Sequence, residues 1–125
     1  MPHIKVEYSA ELADAFDRAG FAKDVHATIV EVAGGRAAGC KSRFVRLDDT
    51  YIADGSPHYT MIHAEIALLA GRSAQTKREL SGQALALLRR HTAPAPRFEV
   101  QFSVDVRDLD TESYERHEEL RTEAS

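Results

Sequence analysis

The feature that most constrains the fold is a doubled order of patterns: alternating run, helical run, alternating run, a turn, and the same order again. In the first run Pro2, Ile4, Val6 and Tyr8 share one face, and His3, Lys5 and Glu7 share the other. Residues 10–32 read as a helix with Ser9 as its N-cap and Glu11 in its first turn. Leu12, Phe16, Ala19, Val25, Ile29 and Val32 form its stripe, Gly20 weakens its middle, and Gly34-Gly35 ends it. Residues 42–51 are a strand that sets Arg43, Val45 and Leu47 against Phe44, Arg46 and Asp48. Asp54-Gly55-Ser56-Pro57 is a turn signal. Residues 59–69 alternate again, with Thr60, Ile62, Ala64, Ile66 and Leu68 on one side. Ser73 then caps a helix over 74–91, whose stripe is Leu80, Ala84, Leu87 and Leu88 and whose last turn, Arg89-Arg90-His91, suits the negative end of the helix dipole. After Pro94 and Pro96, residues 98–106 alternate strictly, and residues 108–125 form a charged tail with room for a short helix over 112–121.

The expected architecture is α+β: a duplicated β-α-β unit giving a four-stranded sheet with two helices on one face. The expected organisation is one domain over residues 1–125, with pseudo-repeats at about 2–51 and 57–107 and the tail beyond. Both crossovers cover the same face, so the other face is left for subunit packing. A net charge of −4 with no basic face argues against a nucleic-acid partner. No apolar run is long enough to span a bilayer, and no secretory signal pattern opens the chain. With one cysteine, Cys40, no intrachain disulfide is possible, and a cytoplasmic protein is expected.

Met1-Pro2 carries the chemistry. A proline that becomes first in its chain has a secondary amine held on a rigid ring. The small residue after the initiator invites removal of Met1. With Met1 kept, the same nitrogen is a tertiary amide and has no basicity.

The order and spacing of several short pieces resemble one family. They are Met1-Pro2-His3, Phe21-Ala22-Lys23, Lys41-Ser42-Arg43, Ala53-Asp54-Gly55 and Gly71-Arg72-Ser73. Ile62-His63-Ala64-Glu65-Ile66 leading into Gly71-Arg72-Ser73 is similar to the opening of 4-oxalocrotonate tautomerase. The chain as a whole resembles the 5-carboxymethyl-2-hydroxymuconate isomerases of the tautomerase superfamily. That resemblance implies a homotrimer and a cofactor-free proton transfer. A 2-hydroxymuconate-type dienol acid would be converted to its conjugated keto form, in bacterial breakdown of homoprotocatechuate and related aromatic acids. By analogy with the single-unit tautomerases the second half begins its strand near Ile62, which is internal and not proline, so one active site per chain is expected.

Read against that chemistry, Pro2 is the acid–base residue: neutral, it takes the hydroxyl proton and then returns it to carbon. Its pKa must be lowered toward neutrality by burial or neighbouring cations. The substrate's carboxylates need local cations, and Arg72 leads, at a strand end and just before a helix N-terminus. Lys41 and Arg43 are the second candidates. The resemblance leads one to expect arginine at position 41, and lysine keeps the charge but loses the bidentate fork. Each residue has a plainer alternative. Met-Pro starts arise by chance, Arg72 and Lys41 can be solvated, and Arg43 can pair with Asp48, Asp49 or another subunit. His3 can tune the base or simply lie on a surface strand, Cys40 reads as a filler thiol, and no metal-spaced set is evident. Two other functions stay open: a tautomerase for a different unsaturated keto acid, and a non-catalytic trimeric binding protein that keeps Met1.

Overall fold

The computed structural model describes residues 1–122. Strand β1 (His3–Ser9) is followed by a short 3₁₀ turn (Ala10–Leu12) and helix α1 (Arg18–Ala33). A second 3₁₀ turn (Ala37–Gly39) leads into β2 (Lys41–Leu47). The second unit is β3 (Tyr59–Leu69), α2 (Ala74–Arg90) and β4 (Glu99–Leu109). The sheet order is β2-β1-β3-β4. β2 runs parallel to β1 and β4 parallel to β3, as a strand–helix–strand crossover requires, while β1 and β3 pair antiparallel at the centre.

Both helices pack on one face. Ile4, Val6 and Tyr8 of β1 and Ile62, Ala64, Ile66 and Leu68 of β3 are buried there against Phe21, Val25 and Ile29 of α1 and Leu80, Ala84 and Leu88 of α2. Fully burying each of these aliphatic or aromatic side chains contributes roughly 1.5–3 kcal/mol. The opposite face is mainly polar: Arg107 pairs with Glu65 at 3.6 Å and with Asp105, and His63 Nδ1 lies 2.6 Å from Ser103 Oγ.

Several expectations are corrected. The helix expected over 10–32 begins only at Arg18, because the preceding segment pairs with the residues that follow α2. Phe16 bridges Thr92, the Asp17 amide donates to the His91 carbonyl at 2.8 Å, and the Ala93 amide donates to the Ala15 carbonyl at 2.9 Å. Asp17, not Ser9, is the cap, accepting from the Gly20 amide at 3.0 Å. Buried Ser9 instead accepts from the Met61 amide at 2.9 Å, and Phe21 replaces the exposed Ala19 in the buried stripe. The second strand stops at Leu47, where Asp48 turns out to pair with Arg46 at 3.0 Å. β3 spans Tyr59–Leu69 as its alternation predicts, so the start near Ile62 drawn by analogy with the single-unit tautomerases falls inside the strand. The tail holds no helix among the described residues, and turns after β4.

Other local signals hold. Gly34 ends α1 at φ 78°, in the left-handed region that glycine tolerates. Ser73 caps α2 by accepting from the Thr76 amide at 3.1 Å.

Candidate functional site

The sheet register gathers the sequence candidates at one end of the sheet. His3 lies opposite both Lys41 of β2 and Ala67 of β3, so the chain start meets the start of β2 and the end of β3. Pro2 is buried. Its carbonyl accepts from the Lys41 amide at 3.1 Å, extending the parallel ladder by one residue without the N–H that proline lacks. The loop after α1 closes over the ring: a Cβ on Gly35 would meet Pro2 Cδ and Cγ at 3.5 Å.

The terminal amine is held beside this ring. Met1 N donates to the Gly39 carbonyl at 2.7 Å, and Lys41 Nζ donates to the same oxygen at 2.9 Å. Gly39 has to be small here, since a Cβ would stand 2.6 Å from the Met1 carbonyl oxygen. Burial, and then the Lys41 ammonium, lower the pKa of this amine from 8.0 to about 6. Burial pushes the Cys40 thiol up, and its Sγ lies 3.5 Å from the Arg36 carbonyl, so Cys40 remains a thiol that fills the loop.

Arg72 reaches the same end from β3. Its Nε donates to the Ala33 carbonyl at 3.2 Å and its Nη1 to the Leu69 carbonyl at 3.0 Å. The guanidinium thus ties the C-terminus of α1, where helix carbonyls lack partners, to the end of β3. Ala33 and Gly35 flank the turn against Pro2, which puts Arg72 on the rim of the Pro2 site.

Arg43 is placed differently. It lies on the open sheet face, with Nη1 3.3 Å from His3 Nδ1, and does not pair with Asp48. His3 in turn holds Tyr114 of the tail: Nε2 lies 2.9 Å from the Tyr114 hydroxyl, and the rings meet edge to face at 5.8 Å. Burial, the terminal amine and the two cations Lys41 and Arg43 push the His3 pKa down, favouring the neutral ring. Lys41 therefore stands at the chain terminus, Arg72 is held at the end of α1 whose following loop covers Pro2, and Arg43 joins only through His3.

The sequence reading missed the Gly39 carbonyl, Tyr114 and the loop-to-tail ion pair Arg36–Glu118 at 3.3 Å. A main-chain acceptor has no signature in side-chain identity, and nothing in a charged tail says where it folds back. A separate cavity of about 330 Å³, lined by Arg89, Pro94, Pro96, Phe98, Val100 and Phe102 among others, lies near the start of β4. By register Pro2 lies level with residue 108 of β4, so roughly 26 Å of strand separates Val100 from it at about 3.3 Å per residue. The cavity has no part in the Pro2 site.

A family model for 5-carboxymethyl-2-hydroxymuconate isomerase matches residues 2–123. The chain belongs to that isomerase family. A relative in Escherichia coli, 5-carboxymethyl-2-hydroxymuconate Delta-isomerase, is 29% identical over 93 residues, covering 74% of each chain. A crystal structure of a 5-carboxymethyl-2-hydroxymuconate delta-isomerase superposes with a TM-score of 0.78 at 21% identity, over 95% of this chain and 89% of the other. A fused 4-OT wild-type symmetric trimer gives a TM-score of 0.75 at 17% identity, over 95% and 94%. The fold is that of the tautomerase superfamily.

Proposed function

We propose that this chain is an isomerase of 5-carboxymethyl-2-hydroxymuconate or a similar 2-hydroxymuconate-type dienol acid, acting through the amine of Pro2 after Met1 is removed. The observation that carries the reading is the environment of the chain terminus. An amine at the start of β1 is partly buried beside Lys41 and hydrogen-bonded to the Gly39 carbonyl, and its pKa falls to about 6. Removing Met1 moves the terminal amine one residue inward, to the buried ring of Pro2.

The step needs one base. Neutral Pro2 nitrogen takes the proton of the dienol hydroxyl as the C–O bond becomes a carbonyl and the double bonds shift. The resulting pyrrolidinium then delivers that proton to the far carbon, leaving the amine as it began. Arg72, Lys41 and, through the open face, Arg43 bind the substrate's carboxylates. A homotrimer packed through the open sheet face is the expected assembly, supported by the fold it shares with a trimeric neighbour. Aromatic-acid breakdown in the cytoplasm is the setting that the family relationship favours.

Intact mass measured on protein from its natural host, followed by the rate of dienol ketonisation in the ultraviolet, tests the reading. A chain lacking Met1 should turn over the dienol, and Pro2→Ala should lose about two to four orders of magnitude in kcat. Full turnover by Pro2→Ala, or by protein that keeps Met1, would overturn the mechanism, and a silent Met1-bearing trimer would favour a binding protein.

A second reading, a different unsaturated keto acid as substrate, is favoured by Lys41. Its single ammonium is already engaged with the Gly39 carbonyl and cannot grip a carboxylate bidentately. Ranking dienol and phenylpyruvate-type substrates by kcat/KM separates the two.

A further inference from the structure

The tail beyond β4 contains little that burial could hold in place: Leu120 is 79% exposed, and the described residues 115–122 are all exposed. It nevertheless takes a defined course. After Leu109 the chain turns on Asp110, whose side chain accepts from the Glu112 amide at 3.0 Å and whose carbonyl accepts from the Ser113 and Tyr114 amides at 3.2 and 3.1 Å. β4 is the edge strand, separated from β1 by β3, so reaching His3 carries the tail across the end of the sheet that holds the Pro2 site. Tyr114 is fixed on His3, the residue next to Pro2. Glu118 is fixed on Arg36, at the start of the loop that presents Gly39 to the terminal amine.

Arg116 lies between these two anchors. Its Nη1 donates to Glu118 at 2.6 Å. A guanidinium has five N–H donors, so this contact leaves most of the fork available. The charge is near enough to the chain terminus to count among the causes that lower its amine pKa. Arg72 also donates to two backbone carbonyls and Lys41 to a third, which holds both in place.

We infer that Arg116 is a further substrate-binding residue, taking the carboxylate remote from the reacting end, with Tyr114 and Glu118 as its positioning residues. The inference rests on the dienol-acid reading above and deepens it by naming the residue that takes the remote carboxylate. Tyr114 holds the strap by a hydroxyl and a ring edge, both set by His3. Glu118 shares its carboxylate between Arg36 and Arg116, which ties the guanidinium to the loop that presents Gly39.

Two dienols test this, 2-hydroxymuconate with two carboxylates and 2-hydroxy-2,4-pentadienoate with one. Arg116→Gln should raise KM for 2-hydroxymuconate about tenfold, as loss of one charge-assisted contact would, and leave kcat within about twofold. KM for the one-carboxylate dienol should not move, and Arg116→Lys should restore part of the loss. Tyr114→Phe should raise KM for 2-hydroxymuconate alone, with an unchanged thermal midpoint. Calorimetry with cis,cis-muconate, which lacks the reacting hydroxyl, gives a readout independent of turnover, with binding about tenfold weaker in Arg116→Gln. Equal KM and equal muconate affinity in wild type and Arg116→Gln would overturn the inference while leaving Pro2 catalysis intact. Absence of any dienol turnover by wild type would instead overturn the function proposed above, and muconate affinity would still decide the role of Arg116: a tenfold difference supports it, while equal or undetectable binding overturns it.

Discussion

In the proposed mechanism the base is the Pro2 nitrogen, and the nearby cation is Lys41, whose ammonium donates to the Gly39 carbonyl. Burial and Lys41 lower the pKa of the Met1 amine, and once Met1 is removed the same cation would disfavour the protonated form of a Pro2 amine. Only the neutral amine accepts a proton, so kcat/KM should rise with pH through the amine's pKa and level off above it. That rise should fall below the ordinary range of a proline amine. Replacing Lys41 with Met removes the cation, raises the amine pKa and lowers the neutral fraction at any given pH. The ascending limb of the pH–rate profile should therefore move to higher pH, and an unmoved limb would show that burial alone sets the amine. Pro2 and Arg72 were legible as candidates because each stands at the edge of a patterned element. The Gly39 carbonyl was not legible, because any residue supplies a carbonyl and only the fold selects which one meets the amine.

Among the elements, α1 shows how tertiary pairing overrides a local signal. Ser9 followed by Glu11 reads as a helix start, but the buried Ser9 hydroxyl is committed to the Met61 amide across the sheet. Ser9→Ala would leave that amide unpaired in the core and should cost about 1–3 kcal/mol in urea unfolding. The true cap, Asp17, is followed by Gly20 at the position whose amide it binds. A Cβ at Gly20 would overlap the Asp17 carboxylate and stand 2.8 Å from His91 Nδ1, so glycine at this position allows the two halves to meet. His91 Nε2 lies 2.7 Å from Asp24 Oδ2 in the same contact. Gly20→Ala should therefore destabilise, although alanine is the better helix former by about 1 kcal/mol. A gain in thermal midpoint for that variant would refute the contact. Asp17-x-x-Gly20 was visible in the sequence, but it competed with a longer apolar stripe that began at Leu12, and the stripe runs through both the 3₁₀ turn and the helix.

At the scale of the whole molecule, the sheet has one dry face and one polar face carrying Glu65, Asp105 and Arg107. If three copies close around these faces, sedimentation should give three times the chain mass at micromolar concentration. A monomer at that concentration would require the Pro2 site to work within one chain. The alternation of the strands and the apolar stripes of the helices determined two β-α-β units, their parallel strand pairs and the face that the helices cover. Those are local periodicities, and a chain cannot satisfy them in many ways. Only the tertiary structure decided which groups meet at the chain terminus. The antiparallel pairing of β1 with β3 brings the end of β3 to the end of the sheet that starts at Pro2, and the turn at Asp110 carries Tyr114 back onto His3. These contacts join residues up to 111 positions apart, and their polar, partly buried partners leave no hydrophobic period in the sequence to announce them.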